Sequence, residues 1–290
     1  MPDPLLLTVD DGHVRVADRS APLLRADDLG VLRGDGIFET MHVVDGVVFG
    51  IAAHLDRMAR SATLMELTPP ARDMLERLVA AAAEASHQAW PAGCEGALRI
   101  SVTRGVEPGG PLTVFATVDP IGAKSLRLRR EGVRVLTATT GFATDTKAGA
   151  PWLLGGVKSL SYAVNMASLR WAEANDADDV LWTSSDGYAL EAPTSSLVWL
   201  AGGILFSTPN ETGILAGTSA GQLLAAAEDF GFQAKRALIT PKELLDTEGA
   251  WLCSSVRGVA GIRTLDGNAL PFDPALTARL GTALGFALRA

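Results

Sequence analysis

The sequence predicts an α+β chain in two halves, with mostly antiparallel sheets and helices packed on them. Three observations lead there. Short apolar runs flank tight-turn signals such as Asp45-Gly46, the pattern of β-hairpins. Longer stretches between them carry apolar residues at helical spacing. The chain has 290 residues, 48% of them apolar and 20% charged, which suits one large domain or two ordinary ones and excludes intrinsic disorder.

In order, Leu5–Val9 and His13–Val16 flank Asp10-Asp11-Gly12 and read as strand, turn, strand. Phe38–Val44 and Val47–Ile51 pair around Asp45-Gly46. Ala53–Leu67 is a helix with Leu55, Met58, Ala62 and Met65 on one face, stopped by Pro69-Pro70. Arg72–Gln88 is a second helix, rich in Ala and Leu. Gly96–Thr103 and Leu112–Val118 are strands on either side of the turn Gly105–Pro111. Pro120–Arg130, where Lys124, Arg127, Arg129 and Arg130 cluster, reads as a solvated strand or loop linking the halves.

The second half opens with strand Val133–Thr139 and a Gly/Ala/Pro loop from Gly141 to Gly156. Ser159–Asn175 is a helix with Leu160, Val164, Ala167 and Trp171 on one face. Asp179–Thr183 and Tyr188–Glu191 form one hairpin, Leu197–Leu200 and Ile204–Ser207 another. Helix Ala220–Phe230, strand Gln233–Ala237, helix Pro241–Asp246, strand Ala250–Ser254 and helix Pro274–Leu288 follow.

A net charge of −8 disfavours non-specific nucleic-acid binding, which needs a basic face. Cys94 and Cys253 form neither a disulfide framework nor a zinc motif, and read as core thiols. No metal site is expected. Met1–Asp11 carries Asp3, Asp10 and Asp11 and no basic region, so it does not read as a signal peptide. No apolar run approaches the ~20 residues of a membrane span. The expectation is a cytoplasmic protein.

Several residues could carry chemistry. Lys158 follows Gly155-Gly156 and precedes an apolar-faced stretch. A partly desolvated amine there would be a nucleophile for carbonyls, and the alternative is an ordinary helix-start lysine. Glu191 ends a strand and is followed by Thr194, Ser195 and Ser196. It could hold a protonated ring nitrogen, or be a solvated hairpin carboxylate. Gly217-Thr218-Ser219 opens a helix and could bind an anion, or be a plain N-cap. Ser254-Ser255 is a second donor pair. Arg57 lies within a helix, where it could also form an exposed ion pair beside Asp56. Arg104 ends a strand, where an arginine suits a carboxylate or is a surface charge. His42 and His54 read as structural. Together the set suits pyridoxal 5'-phosphate, which needs a Schiff-base lysine, a charge partner for its ring nitrogen and a phosphate cup.

At these residues the sequence resembles the fold type IV, or class IV aminotransferase, family of pyridoxal-phosphate enzymes. The matching runs are Arg33-Gly34-Asp35-Gly36-Ile37-Phe38-Glu39-Thr40, His54-Leu55-Asp56-Arg57 with Ser61-Ala62, Lys158-Ser159-Leu160-Ser161-Tyr162, Glu191 with its serines, and Ser254-Ser255-Val256-Arg257. The resemblance implies the two-domain fold of D-amino-acid aminotransferases: a smaller domain at 1–120, a linker at 121–132 and a larger domain at 133–290 holding the lysine. It implies that Lys158 bonds the cofactor and moves protons. Glu191 would pair with the ring nitrogen. Arg57, Gly217, Thr218, Ser219 and Ser255 would bind the phosphate, and Arg104 a substrate carboxylate. It also implies a homodimer acting on a small amino compound, with no nucleic-acid or membrane partner. Two departures stand out. Thr218 replaces an apolar residue common at the phosphate helix, and Ser161 stands where asparagine is frequent, which leaves the contact to the ring hydroxyl unplaced. Tyr162 is expected to point into the helix core.

The family includes 4-amino-4-deoxychorismate lyase and the D-amino-acid and branched-chain aminotransferases. The opening run and Lys158-Ser159-Leu160-Ser161-Tyr162 look most like the lyase, which forms 4-aminobenzoate and pyruvate for folate synthesis. Against it, Glu39 stands where some lyases have threonine. The alternative is an aminotransferase of D-amino acids or branched-chain amino acids. A third reading is a non-catalytic cofactor-binding member.

Overall fold

Short, largely apolar strands joined by tight turns build the first sheet. In the computed structural model, which describes residues 1–107 and 109–286, β1 (Leu5–Asp10) and β2 (His13–Ala17) turn on Asp11 and Gly12, both at positive φ. A short helix α1 (Leu29–Arg33) precedes β3 (Gly36–Val44) and β4 (Val47–Val48), which turn on Asp45-Gly46. Helices α2 (Ile51–Leu64) and α3 (Arg72–Ala89) and strands β5 (Glu95–Thr103) and β6 (Thr113–Pro120) complete the set. The strands form one antiparallel sheet in the order β2-β1-β6-β5-β3-β4.

One face of that sheet carries Ile37, Met41, Leu98, Ile100 and Ala116. They are buried against Leu55, Met58 and Ala62 of α2 and Leu75, Leu78 and Ala82 of α3. Because side chains alternate along a strand, Phe38, Thr40, Arg99 and Ser101 share the opposite face, with Phe38 facing Ser101 and Thr40 facing Arg99 in register.

The second half is a mixed sheet. Its elements are α4 (Ala123–Glu131), β7 (Val133–Thr139), α5 (Ala163–Ala174), β8 (Asp179–Thr183), β9 (Glu191–Ala192), β10 (Ser195–Ala201), β11 (Ile204–Ser207), α6 (Thr218–Ala225), β12 (Gln233–Arg236), α7 (Pro241–Leu244), β13 (Gly249–Ser254), β14 (Gly258–Leu265), β15 (Asn268–Ala269) and α8 (Pro274–Thr282). The strand order is β12-β11-β10-β13-β14-β7-β8, with β9 on β10 and β15 on β14. Only β11–β12, β14–β7 and β7–β8 are parallel among the described strands. Both faces are covered. Leu197, Trp199, Leu252 and Ile262 pack on one side; Val198, Trp251, Cys253 and Val259 pack on the other with α6 and α8. Burial pushes the Cys253 thiol well up, as suits an inert core group.

Chain contacts divide the protein into two units, Met1–Gly122 with Val157–Tyr162, and Ala123–Gly156 with Ala163–Ala290. The segment that carries Lys158 therefore belongs with the first sheet, a placement that a linear division of the sequence does not give.

Three expectations change. Residues 123–131 are the helix α4 rather than a solvated strand or loop. Leu128 is buried, and Arg129 donates to the carbonyls of Val256 and Arg257 while stacking on Phe286. The expected helix from Ser159 begins only at Ala163, because 157–162 is drawn into β-pairing. Within α5 only Ala172 is buried, whereas Val164 is 69% and Trp171 44% exposed; the expected apolar face is real but is not core. β14 went unread because Gly258 and Gly261 interrupt its apolar run; Gly261 is needed there, since a Cβ would overlap the Phe272 ring. Pro108, inside the expected turn Gly105–Pro111, and the last two residues of the expected helix to Leu288 lie outside the described residues. Among the described residues, no helix is long and apolar enough to cross a membrane.

Asp28 is the polar joint of the first unit. It is 1% exposed, caps α1 through the Gly30 N–H at 2.7 Å, and accepts from the Thr103 and Thr113 hydroxyls at 2.8 Å each. Replacing it with alanine removes a cap and strands two hydroxyls. Asp28→Ala should lower stability by about 2–3 kcal/mol in urea unfolding, and Asp28→Asn by clearly less.

Candidate functional site

Lys158 is presented by an extended segment, not by a helix start. The Phe38 N–H donates to the Lys158 carbonyl at 3.0 Å, and the Leu160 N–H donates to the Gly36 carbonyl at 2.8 Å. Ser159 bridges Ile37 in antiparallel fashion. Gly36 permits the approach, since a Cβ there would lie 2.6 Å from Leu160 Cδ1 and 2.9 Å from Thr103 Cα. The Lys158 N–H also donates to Ser61 Oγ, at 3.2 Å, from α2. This pairing holds the amine over aromatic rings. Lys158 Nζ lies 4.5 Å from the centroid of Phe38 and 5.9 Å from that of Tyr162, and the two rings meet edge to face at 5.2 Å. Tyr162 thus faces the lysine instead of a helix core.

The Phe38 ring holds a second cation. Arg99 Cζ sits 3.7 Å from its centroid. Among the described residues the Arg99 side chain makes no hydrogen bond or ion pair, and burial pushes its pKa down. A half-buried guanidinium on an aromatic platform, with no carboxylate in contact and only the longer-range pull of Asp119 and Tyr162, suits an anion. Sequence reading missed it, although the signal was there: Arg99, Ser101 and Thr103 alternate with Leu98, Ile100 and Val102 along β5.

Arg57 is buried, not exposed. Asp56, its neighbour, points outward and pairs with Arg72 instead. Arg57 donates from Nε to Glu39 Oε1 and from Nη2 to Glu39 Oε2, each at 2.7 Å. His54, one helical turn back, lies with Nδ1 2.7 Å from Glu39 Oε2. Glu39 is fully buried; burial alone would push its pKa up, but the Arg57 and His54 hydrogen bonds hold it down at about 2. It is therefore ionised, which makes His54 Nδ1 a donor. His42 pairs with Glu95 at 3.1 Å and stacks on Phe49.

Arg104 has its donors engaged. Nε donates to Asp35 Oδ2 at 2.7 Å, Nη2 to the Met65 carbonyl at 2.6 Å and Nη1 to the Glu66 carbonyl at 3.2 Å. It ties β5 to the C-terminal end of α2, a favoured place for a cation. Ser161 Oγ donates to the Gly34 carbonyl at 3.2 Å.

The second unit gathers its own polar cluster. Glu191 pairs in register with Ser196, and its Oε1 accepts from the Leu215 N–H at 3.1 Å. Gly217 is the N-cap of α6 and brings no capping side chain. A Cβ on it would overlap Ser196 Oγ, so the turn before α6 sits tight against β10. Thr218 and the buried Ser219 open the helix. Ser196 pairs with Cys253, and the next strand turn carries Ser254 and Ser255. Arg257 anchors that turn, donating to the buried Asp179 at 2.6 Å and to Ser195 Oγ at 2.9 Å. The first unit thus offers an amine on an aromatic platform beside guanidinium groups. The second offers hydroxyls and a helix N-terminus, the donor set of an anion cup, and separately a carboxylate that accepts.

The model of the class IV amino-transferases matches residues 36–265. A bifunctional aminodeoxychorismate lyase / D-amino acid transaminase of Mycobacterium tuberculosis is 40% identical over 262 residues, covering 87% of this chain and 89% of the relative. A fold IV transaminase from Curtobacterium pusillum superposes with a TM-score of 0.92 at 39% identity, covering 98% of this chain and all of that one. The PLP-bound form of a hypothetical aminotransferase from Mycobacterium tuberculosis superposes with a TM-score of 0.92 at 37% identity, covering 97% of this chain and 98% of that one. The chain therefore belongs to the class IV aminotransferase family.

Proposed function

We propose that this enzyme is a pyridoxal 5'-phosphate-dependent 4-amino-4-deoxychorismate lyase, releasing pyruvate and forming 4-aminobenzoate. The observation that carries the cofactor assignment is the Lys158 amine held over Phe38 and Tyr162 by backbone pairing to Gly36 and Phe38. The other residues fit the same group. Arg57, the start of α6 at Gly217, Thr218 and Ser219, and Ser255 suit the phosphate. Glu191, a carboxylate fixed by the Leu215 N–H, suits a protonated ring nitrogen. The relative with 40% identity, whose name joins lyase and transaminase, supports the reaction.

When bound, the cofactor supplies an electron sink beside the substrate's amine-bearing carbon. The chain does the rest. Lys158 Nζ takes the proton from C4 of the substrate. The C3–O bond breaks, and the lysine returns the proton to the departing enolpyruvyl group as the ring becomes aromatic. Phe38 and Tyr162 shield the amine from water. The resemblance assigns a substrate carboxylate to Arg104, which would have to surrender Asp35 to take it. Arg99 needs no such exchange, and we assign the carboxylate to Arg99 first.

The second reading is a transaminase of D-amino acids, favoured by the likeness to a fold IV transaminase at 39% identity and by the D-amino acid transaminase half of the 40% identical relative's name. The same residues would serve it, because the two activities diverge in what leaves the substrate. A cytoplasmic homodimer is the expected setting, and a second copy would give Val164 and Trp171 a cover.

The deciding assay is pyruvate release from enzymatically made 4-amino-4-deoxychorismate. Rapid release that Lys158→Ala lowers by about a thousandfold or more is the expected result. A cofactor-loaded protein that releases none, yet moves the amino group of D-alanine to 2-oxoglutarate, would replace the lyase by the transaminase. Arg99→Leu should raise KM for the carboxylate substrate about ten- to a hundredfold, the worth of a charge-assisted hydrogen bond, with kcat little changed. The same substitution in Arg104 should instead lower thermal stability.

A further inference from the structure

Glu39, in the opening matched run, is a buried carboxylate that the reaction does not use. Its neighbours on the same sheet face, Ile37, Met41 and Val43, are core. An ion pair at such a depth is weak evidence for stability, since apolar residues of similar volume do as well there. The geometry therefore calls for another role. Glu39 grips Arg57 along the Nε/Nη2 edge through two parallel hydrogen bonds, and His54 braces the second oxygen. A guanidinium is planar, so fixing one edge fixes the plane. With the Nε/Nη2 edge committed, the side that bears Nη1 keeps a fixed direction. The same helix holds the backbone of Lys158 one turn further on, through Ser61.

We infer that Glu39, braced by His54, is a positioning residue that aims Arg57 at the cofactor's phosphate. This rests on the cofactor assignment above. A plain Coulomb argument points the other way: a carboxylate beside Arg57 weakens its pull on a phosphate dianion, so removing the charge would tighten binding. Orientation wins because the guanidinium is buried with Glu39. Without it, the Nε/Nη2 edge loses the two parallel bonds that fix the guanidinium plane, and its aim at the phosphate relaxes.

The sign of the effect decides the matter. Apo-protein would be titrated with pyridoxal 5'-phosphate and with pyridoxal, which lacks the phosphate, following absorbance or tryptophan fluorescence. In Glu39→Gln the dissociation constant for pyridoxal 5'-phosphate should rise about ten- to a hundredfold, while that for pyridoxal stays within about twofold. Glu39→Asp keeps the buried charge balanced, so it serves where Glu39→Gln fails to fold, and should show the same phosphate-dependent loss because its shorter arm cannot hold both guanidinium nitrogens. An equal loss for both ligands would make Glu39 merely structural. Unchanged or tighter binding of the phosphorylated ligand would also overturn the inference. A wild-type protein that binds pyridoxal 5'-phosphate no better than pyridoxal would instead remove the phosphate assignment on which it rests.

Discussion

The first unit hangs on β3, and β3 is used on all sides. Its core face sinks Glu39 into α2, where Arg57 and His54 close on the carboxylate. Its opposite face lifts Phe38 toward Lys158 and Arg99. Its backbone at Gly36 and Phe38 hydrogen-bonds the segment that carries the lysine. Adjacent residues of a strand point to opposite faces, so Phe38 and Glu39 can serve the amine and the buried arginine from neighbouring positions. Sliding β3 by one residue would exchange the two roles and bury the ring where the carboxylate belongs.

This arrangement explains why a lysine distant in sequence packs with the first unit. Residues 157–162 behave as an added strand piece, and Gly36 has no side chain because Leu160 and Thr103 crowd it. Backbone pairing fixes the amine more tightly than a loop would, and a reacting group needs such fixity. In the second unit the same economy recurs: one register pair, Glu191 with Ser196, sets the carboxylate beside the turn that opens α6.

Much of this was legible in the sequence, and the failures have physical causes. The hairpins β1–β2, β3–β4 and β10–β11 are legible because their turns are local signals, whereas the one expected of Asp179–Thr183 with Tyr188–Glu191 reduces to a bridge of Thr183 with Ala189, Glu191 pairing with Ser196. Strand Val133–Thr139 and the start of helix Arg72 were also read from local pattern alone. Lys158 was singled out, but its setting was not, because the helical spacing of Leu160, Val164 and Trp171 masks pairing to residues more than a hundred positions earlier. The burial of Arg57 was missed for the same reason: its partner Glu39 lies on another element. His54 was read as structural without a partner, and its partner is that same carboxylate. Arg99 was legible in the alternation of β5 and was passed over in favour of Arg104 at the strand end. Non-local partners decide burial, and a single sequence shows them only where a motif happens to span both.

The central claim is that the Lys158 amine, held on the Phe38 and Tyr162 rings, is the group that bonds the cofactor carbonyl. It is tested most directly by adding pyridoxal 5'-phosphate to the protein, reducing with borohydride, and mapping the pyridoxyl label by peptide mass spectrometry. The label should fall on the peptide containing Lys158 and nowhere else in comparable yield. A label on Lys147, whose amine instead reaches the Gly213 carbonyl at 3.2 Å, or one spread over surface lysines, would contradict the account.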